Sequence, residues 1–406
     1  MLAARRLFAL AAAAAILAVG CAVTLDDAEP RALTEQETVV VESSNEFGFD
    51  LFSEVVSQSD GENVFVSPLS VSMALGMTYN GARGETAAGM REALRYGDLS
   101  NPEINESYKG LIDMLTSMDD EVALEIANSI WYRQGLNVLA EFIEACETFF
   151  YAAVQALDFD SASAAQTIND WVAENTNGLI EEIVDDPIEA DLMMFLINAV
   201  YFKGEWTYRF DEAETHAADF HVDEETTRTV QMMHLHGDVP IYWGDCFAAV
   251  DLPYGDEYFA MAILLPIEGY TIDDVIAQLG PDSWQQMAQG FSTEEMTVEI
   301  PRFDLEREYG LKSVLIALGM EQAFDQLGAD FSGIEPSGEL FIGKVKHKTF
   351  VSVDEVGTEA AAVTSVGVEA GSAAPNELIA DEPFVFVIHD RHSQSILFIG
   401  KMQDPG

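Results

Sequence analysis

Several side chains in this sequence sit at spacings that invite chemistry. Ser67, Ser70 and Ser72 crowd the start of an apolar helical pattern and would suit a nucleophile. No G-x-S-x-G elbow surrounds them, so hydroxyls bonded to neighbouring backbone are the better reading. His234 and His236 flank Leu235 and suggest metal ligands. A carboxylate or third ligand at suitable spacing is absent, which favours a surface strand and no metal. Cys146 and Cys246 lie beside apolar or aromatic residues, without metal-type spacing, and read as two buried thiols rather than a disulfide. His347 taken alone reads as a satisfied core or surface histidine. No catalytic constellation emerges, so the chain does not read as an enzyme and needs no cofactor.

What remains is physical rather than catalytic. Residues 354–372, DEVGTEAAAVTSVGVEAGS, join a strand pattern to a segment that, from Thr358 on, is small, free of proline and charged only at Glu359 and Glu369. Thr358, Ala360, Ala362, Thr364, Val366 and Val368 fall on one face of an extended chain, because strand side chains alternate at period two. Glu359, Ala361, Val363, Ser365, Gly367 and Glu369 fall on the other. Both charges share one parity, so the opposite face can enter a core without burying a carboxylate. A flexible Ala/Gly/Ser-rich loop is the plain alternative, but such a linker has no reason to sort its charges by parity. The stretch reads as a strand without a partner nearby in sequence.

The flanks must position it. Residues 346–355 alternate Phe350, Ser352 and Asp354 against Thr349, Val351 and Val353, and residues 383–390 form another apolar strand. Upstream, Phe47, Leu51, Phe52, Val55 and Val56 recur on one helical face. Residues 63–66 suit a short strand, after which Ser67 fits an N-cap and Pro68 a first helical position. Residues 165–184 and 311–320 carry helical patterns, the former with Gly178 as a stop. Residues 193–206 form a long apolar strand with Asn198 in its middle, and a mid-strand amide calls for a hydrogen-bond network. Strands and helices mix without regular βαβ alternation, which predicts an α+β fold with large mixed sheets.

The chain has 406 residues, long enough for a large core, and 49% hydrophobic content excludes a disordered polyanion. Its formal charge is −52, from 19 basic and 71 acidic residues, and lysine occurs at seven positions. Such a field excludes nucleic acid and disfavours docking on anionic lipid. It is screened within a few ångströms at molar salt, so the surface reads as salt-adapted, or halophilic.

Residues 1–20 read as a targeting segment: Arg5 and Arg6, an uncharged run, then LAVGC ending at Cys21. The run is too short for a good membrane span. LAVGC resembles the lipobox of bacteria and archaea, in which the Cys21 thiol would be lipidated, and RRLF resembles a twin-arginine export signal. The expectation is an exported cell-surface lipoprotein, with an ordinarily cleaved, secreted or periplasmic protein as the alternative. Residues 21–44 are expected to be an acidic tether, and residues 45–406 a single domain.

The strings NVFVSPLSVSMALGM, INAVYFKGEW, LKSVLIALGM, DEVGTEAAAVT, PFVFVI and ILFIGKMQDP stand in the order and spacing of the serpin family, which this sequence resembles over about residues 45–404. The resemblance implies a large, mostly antiparallel central sheet with further sheets, surrounding helices and an exposed reactive loop at about 356–376. It implies an irreversible suicide-substrate inhibitor, whose loop a target protease attacks as a substrate to form an acyl-enzyme. After cleavage the loop inserts as a strand and traps the acyl-enzyme. Glu355, Gly357, Thr358, Glu359, Ala360, Ala361 and Ala362 match the family's hinge. Counting forward places the reactive bond at Gly371–Ser372. Ser67, Ser70, Asn198 and His347 match its strand-opening cluster, and Lys203 and Trp206 the region where the loop first enters. Without Arg or Lys near the bond, elastase-like or subtilisin-like targets are favoured over trypsin-like ones, and papain-like targets are open. A monomer is expected. The alternative is a non-inhibitory serpin acting as a binding or chaperone-like protein.

Overall fold

The computed structural model describes residues 30–337, 339–358 and 376–406. Cys21, Glu359, Ala360, Ala361, Ala362, Gly371 and Ser372 lie outside the described residues, as does most of the reactive loop. Residues 32–406 form one compact unit.

Helix α1 (Glu35–Ser57) opens with a capping box: the Thr34 hydroxyl accepts from Glu37 N, and the Glu37 carboxylate accepts from Thr34 N at 2.7 Å. It therefore begins well inside the stretch expected to be an acidic tether, and residues 35–44 belong to the folded body. The misleading signal was polarity. Val40 and Val41 are buried, and the neighbouring polar residues bond inward. Ser44 Oγ meets Ser72 Oγ at 2.9 Å, and Asn45 bonds Gln394 O and Ile396 N.

Strand β1 (Val64–Val66) leads into α2 (Pro68–Tyr79), whose N-cap is Ser67, and then come α3 (Gly84–Ala93) and α4 (Asn101–Leu115). Strand β2 (Val122–Arg133), α5 (Ala140–Phe150), β3 (Ala153–Leu157) and α6 (Ala164–Glu174) precede β4 (Met194–Glu205). The helical pattern expected over 165–184 stops at Glu174. Gly178 takes φ 84°, and the Asn169 side chain captures the backbone of Ile183 and Val184 at 2.9–3.0 Å. Strands β5 (His216–His221), β6 (Thr227–Trp243), β7 (Phe247–Tyr254) and β8 (Phe259–Pro266) follow, then α7 (Ile272–Gln278) and α8 (Pro281–Gly290). After β9 (Ser292–Pro301) and β10 (Phe303–Gly310), α9 (Lys312–Leu315) opens into a wider turn over Ile316–Met320, ended by Gly319 at φ 100°. The chain closes with β11 (Lys346–Val353), β12 (Gly357–Thr358), β13 (Asn376–Ile379), β14 (Phe384–Asp390) and β15 (Ile396–Met402).

Among the described residues, two sheets organise these elements. The larger has nine strands and runs β1-β15-β14-β8-β7-β6-β9-β13, with β5 on β6. Strands β7, β8, β14 and β15 are buried along their whole length, so their unbroken apolar runs form the centre of the core. The smaller sheet has six strands in the order β10-β11-β12-β4-β2-β3. Its alternation is plain in β11, where His347, Thr349, Val351 and Val353 face inward between partly exposed neighbours. The helices and sheets together are α+β, as the sequence implied.

Candidate functional site

The geometry converges where β11 hands over to β12. Asp354 Oδ1 accepts from the backbone of Val356 at 2.8 Å and Gly357 at 3.1 Å, while Asp354 N donates to Gly357 O at 3.0 Å. This side-chain-closed turn reverses the chain and sets Thr358 opposite Val353. On its other edge β12 pairs with β4, Gly357 opposite Glu205 and Thr358 opposite Gly204. Both pairings are antiparallel, so β4 and β11 run in the same direction with β12 between them. Among the described residues no ladder joins β4 to β11 directly.

Glu355 fastens the turn. It is 2% exposed, and Arg302 reaches its Oε1 through Nε at 2.7 Å and a terminal nitrogen at 2.6 Å. The Thr215 hydroxyl donates to the same oxygen. Burial pushes this carboxyl up, but the Arg302 and Thr215 hydrogen bonds outweigh it and hold the acid below its ordinary range. The backbone is held as well: Phe210 N donates to Glu355 O, and Trp206 N to Val356 O. A Cβ at Gly357 would lie 2.1 Å from Gly204 O, so only glycine fits this close strand approach.

Trp206 and Thr358 meet over one ring. Trp206 donates its indole N–H to Asp354 O at 2.8 Å and stacks on Tyr254 with centroids 4.3 Å apart. The Tyr254 hydroxyl lies 2.6 Å from Thr358 Oγ1, which is buried. Thr358 thus points inward, the face that parity assigned to it. Lys203 stands on the opposite, outer face of β4, half-buried and level with Ala123 of β2.

The expected polar cluster also assembles, under the middle of the smaller sheet. His347 Nε2 accepts from Ser67 N at 2.9 Å, which leaves the ring proton on Nδ1. Ser67 Oγ donates to Leu397 O at 2.6 Å and accepts from Ser70 N, and Ser70 Oγ lies 3.5 Å from Asn198 O. Asn198 donates to Asn128 Oδ1 at 2.6 Å, and Asn128 Nδ2 in turn donates to Phe150 O at 2.7 Å. Asn198 Oδ1 is buried without a hydrogen-bond partner. The arrangement is not a nucleophile and its base, since the imidazole nitrogen near Ser67 is spent on a backbone N–H and the hydroxyl faces away. Burial lowers His347 from the usual 6.5 to about 4.

The remaining candidates stay structural. His234 lies 2.9 Å from Glu299, His236 faces Thr297, and among the described residues no group of His, Cys, Asp or Glu is arranged to hold a metal ion. Cys146 and Cys246 are free and buried. Tyr254, Arg302, Thr215 and Asn128 complete the site, but nothing in one sequence marks them. Their partners lie 53 to 140 residues away in the turn's case, and only the folded chain joins them.

These environments predict a pH response. The unfolded chain protonates His347 first, so native stability falls as pH drops from about 6.5 to about 4, by about 3 kcal/mol for a fully buried ring. Glu355 has the other sign of partner: its contribution is present above the ordinary carboxylate value and is lost as pH falls through its lowered one. Unfolding midpoints at fixed salt should slope over the upper window in the native chain. They should flatten in His347→Gln, whose amide oxygen can still accept from Ser67 N. Arg302→Met should cost about 2–3 kcal/mol, and more than Glu355→Gln, because it strands a buried charge.

Comparison with known proteins agrees with this geometry. The profile of the family described as "Serpin (serine protease inhibitor)" matches residues 42–405. A serpin-like protein of Thermococcus kodakarensis is 36% identical over 376 residues, covering 91% of this chain and 87% of that protein. Leukocyte elastase inhibitor of Bos taurus is 34% identical over 375 residues, covering 89% and 98%. Among solved structures, the thermophilic serpin tengpin in its native state superposes with a TM-score of 0.82 at 30% identity, covering 93% of this chain and 96% of tengpin. A thyroxine-binding globulin complex with thyroxine also gives 0.82, at 27% identity over 90% and 99%. The chain belongs to the serpin family.

Proposed function

We propose that this serpin is an irreversible suicide-substrate inhibitor of serine proteases, with papain-like cysteine proteases as a further target class. The observation that carries the reading is β12, two residues of strand already standing between β4 and β11 and antiparallel to both. Continuing its register brings Ala360 level with Phe202, Ala362 with Val200, Thr364 with Asn198, Val366 with Leu196 and Val368 with Met194. Along β11 the same count sets Thr364 level with His347. The small, uncharged parity of the loop thus matches the inward face, and the Thr364 hydroxyl would supply the partner that Asn198 Oδ1 lacks.

In this mechanism the target's nucleophile attacks the Gly371 carbonyl, the bond to Ser372 breaks, and the loop remains esterified to the protease. Insertion then exchanges solvated backbone for two antiparallel ladders, driving the attached enzyme away before water can release it. The intact state is a kinetic trap. Glu355, Gly357 and Thr358 act as the hinge, Ser67, Ser70, Asn198 and His347 as the gate to strand opening, and Trp206 and Lys203 flank the mouth. Small residues around the bond favour elastase-like or subtilisin-like targets. The protein acts as an exported monomer, anchored through a lipidated Cys21, in a salt-rich setting that suits its charge. A binding role is the second reading, supported by the similarity to a globulin named for binding thyroxine.

Incubation with elastase-, subtilisin-, trypsin- and papain-type proteases should give a detergent-resistant adduct with one of the non-tryptic enzymes. Mass spectrometry should place the new amino terminus at Ser372. Loop cleavage with no adduct and no gain in thermal resistance would overturn the inhibitor reading and favour the binding role. Ala362→Arg should turn the inhibitor into a plain substrate, because insertion would have to bury the charge on the inward face, level with Val200. Thr364→Val should keep adduct formation but reduce the thermal gain of the nicked form.

A further inference from the structure

Three of the chain's seven lysines, Lys344, Lys346 and Lys348, stand on the outer face of β11 or just before it. All three reach the same neighbour, the segment between α6 and β4. Lys346 Nζ lies 3.0 Å from Asp185, and Lys344 Nζ lies 3.1 Å from Asp185 and 3.4 Å from Glu189. Lys348 Nζ donates to Glu182 O at 3.3 Å. Glu308 and Glu306 of β10 share Lys346 and Lys348. The adjacent residues Ile183 and Val184 pack instead in an apolar cluster with Ile168 and Val172 of α6, Trp131 of β2 and Ile197 of β4. Asn169 fixes their backbone.

One short segment is therefore tied to both strands that flank β12. It is held by apolar contact on the β4 side and by ion pairs on the β11 side. Ile197 and the lysines share the outer face, since the Asn198 side chain faces Met73 of α2 and His347 bonds Ser67 N on the inner side. Extending the β12–β11 register sets residues 363, 365 and 367 level with Lys348, Lys346 and Lys344, so a strand lengthening there passes beneath the segment. Asp185 is held below the ordinary carboxylate range by hydrogen bonds from Lys346 and then Lys344. Its side chain is 63% exposed, which leaves these pairs open to screening by salt.

We propose that residues 182–189 are a salt-sensitive latch across the insertion path, with Lys344, Lys346 and Asp185 as positioning residues that set how fast the loop inserts. The proposal rests on the insertion mechanism above. The latch slows insertion at low salt, giving water time to release the protease and wasting inhibitor. Raising salt weakens the ion-pair side while the apolar side persists, so insertion quickens where the acidic surface is itself best screened.

The test uses the full chain, an elastase-type protease and salt from about 0.1 M to about 1 M, over which the screening length falls from about 10 Å to about 3 Å. The readouts are the rate at which nicked protein gains thermal resistance and the ratio of adduct to cleaved product. In the native chain both should rise about threefold to tenfold across the series. Asp185→Asn and Lys346→Gln should start near the high-salt values and lose most of the slope. Asp50→Asn removes a carboxylate paired with Arg95 on α1 and should behave like the native chain. If nicked protein gains thermal resistance but Asp185→Asn and Lys346→Gln track Asp50→Asn at every salt, the latch is wrong. Slower insertion in either latch variant also overturns it. Absence of any thermal gain or adduct in all proteins would instead reject the insertion mechanism.

Discussion

The structure depends on a turn that cannot relax. Asp354 closes it, and the buried Glu355 carboxylate, with Arg302 and Thr215 around one oxygen, locks its outer side. An isolated carboxylate so deeply placed would be costly, and the cost is offset only while its donors hold position. The same three residues of backbone carry hydrogen bonds from Phe210 and Trp206. The chain leaving β11 is therefore turned back, and Gly357 and Thr358 lie between two strands that run the same way.

Under the insertion proposed above, that direction would give the polar cluster its meaning. Ser67, Ser70, Asn198 and His347 set polar groups between the start of α2, β4 and β11. Their bonds are to backbone at Ser67 N, Leu397 O and Asn198 O, so each strand and α2 are held through exchangeable links rather than apolar interlock alone. Hydrogen bonds can be traded for others of similar strength, whereas a close-packed apolar seam would resist parting. The outer face repeats the logic with charge, where lysines on β11 hold a crossing segment by contacts that leave no cavity when broken.

Much of this was legible in the residues. Period-two patterning predicted β11, apolar runs predicted β14 and the long β4, and the Ser67-Pro68 pair predicted the start of α2. The inward parity of Thr358 followed from the placement of two glutamates. The errors have specific causes. Residues 35–44 looked like a tether because glutamate, glutamine, threonine and serine are polar by type, yet Glu37 caps α1 and Ser44 finds a partner in α2. The helical pattern over 165–184, read with Gly178 as its stop, overran α6, because Ile180 and Ile183 face the same cluster as α6 but reach it from irregular backbone. Arg302, Thr215 and Tyr254 were silent, since a long-range partner leaves no local trace in one sequence.

The early start of α1 has a consequence for where such a molecule could work. With the anchor proposed at Cys21 and folded structure from Thr34 onward, only about a dozen residues separate lipid from body. At roughly 3.3–3.6 Å per residue their contour spans no more than about 45 Å. A leash that short would confine capture to a thin shell over the cell, guarding the envelope itself and leaving proteases in the open medium untouched.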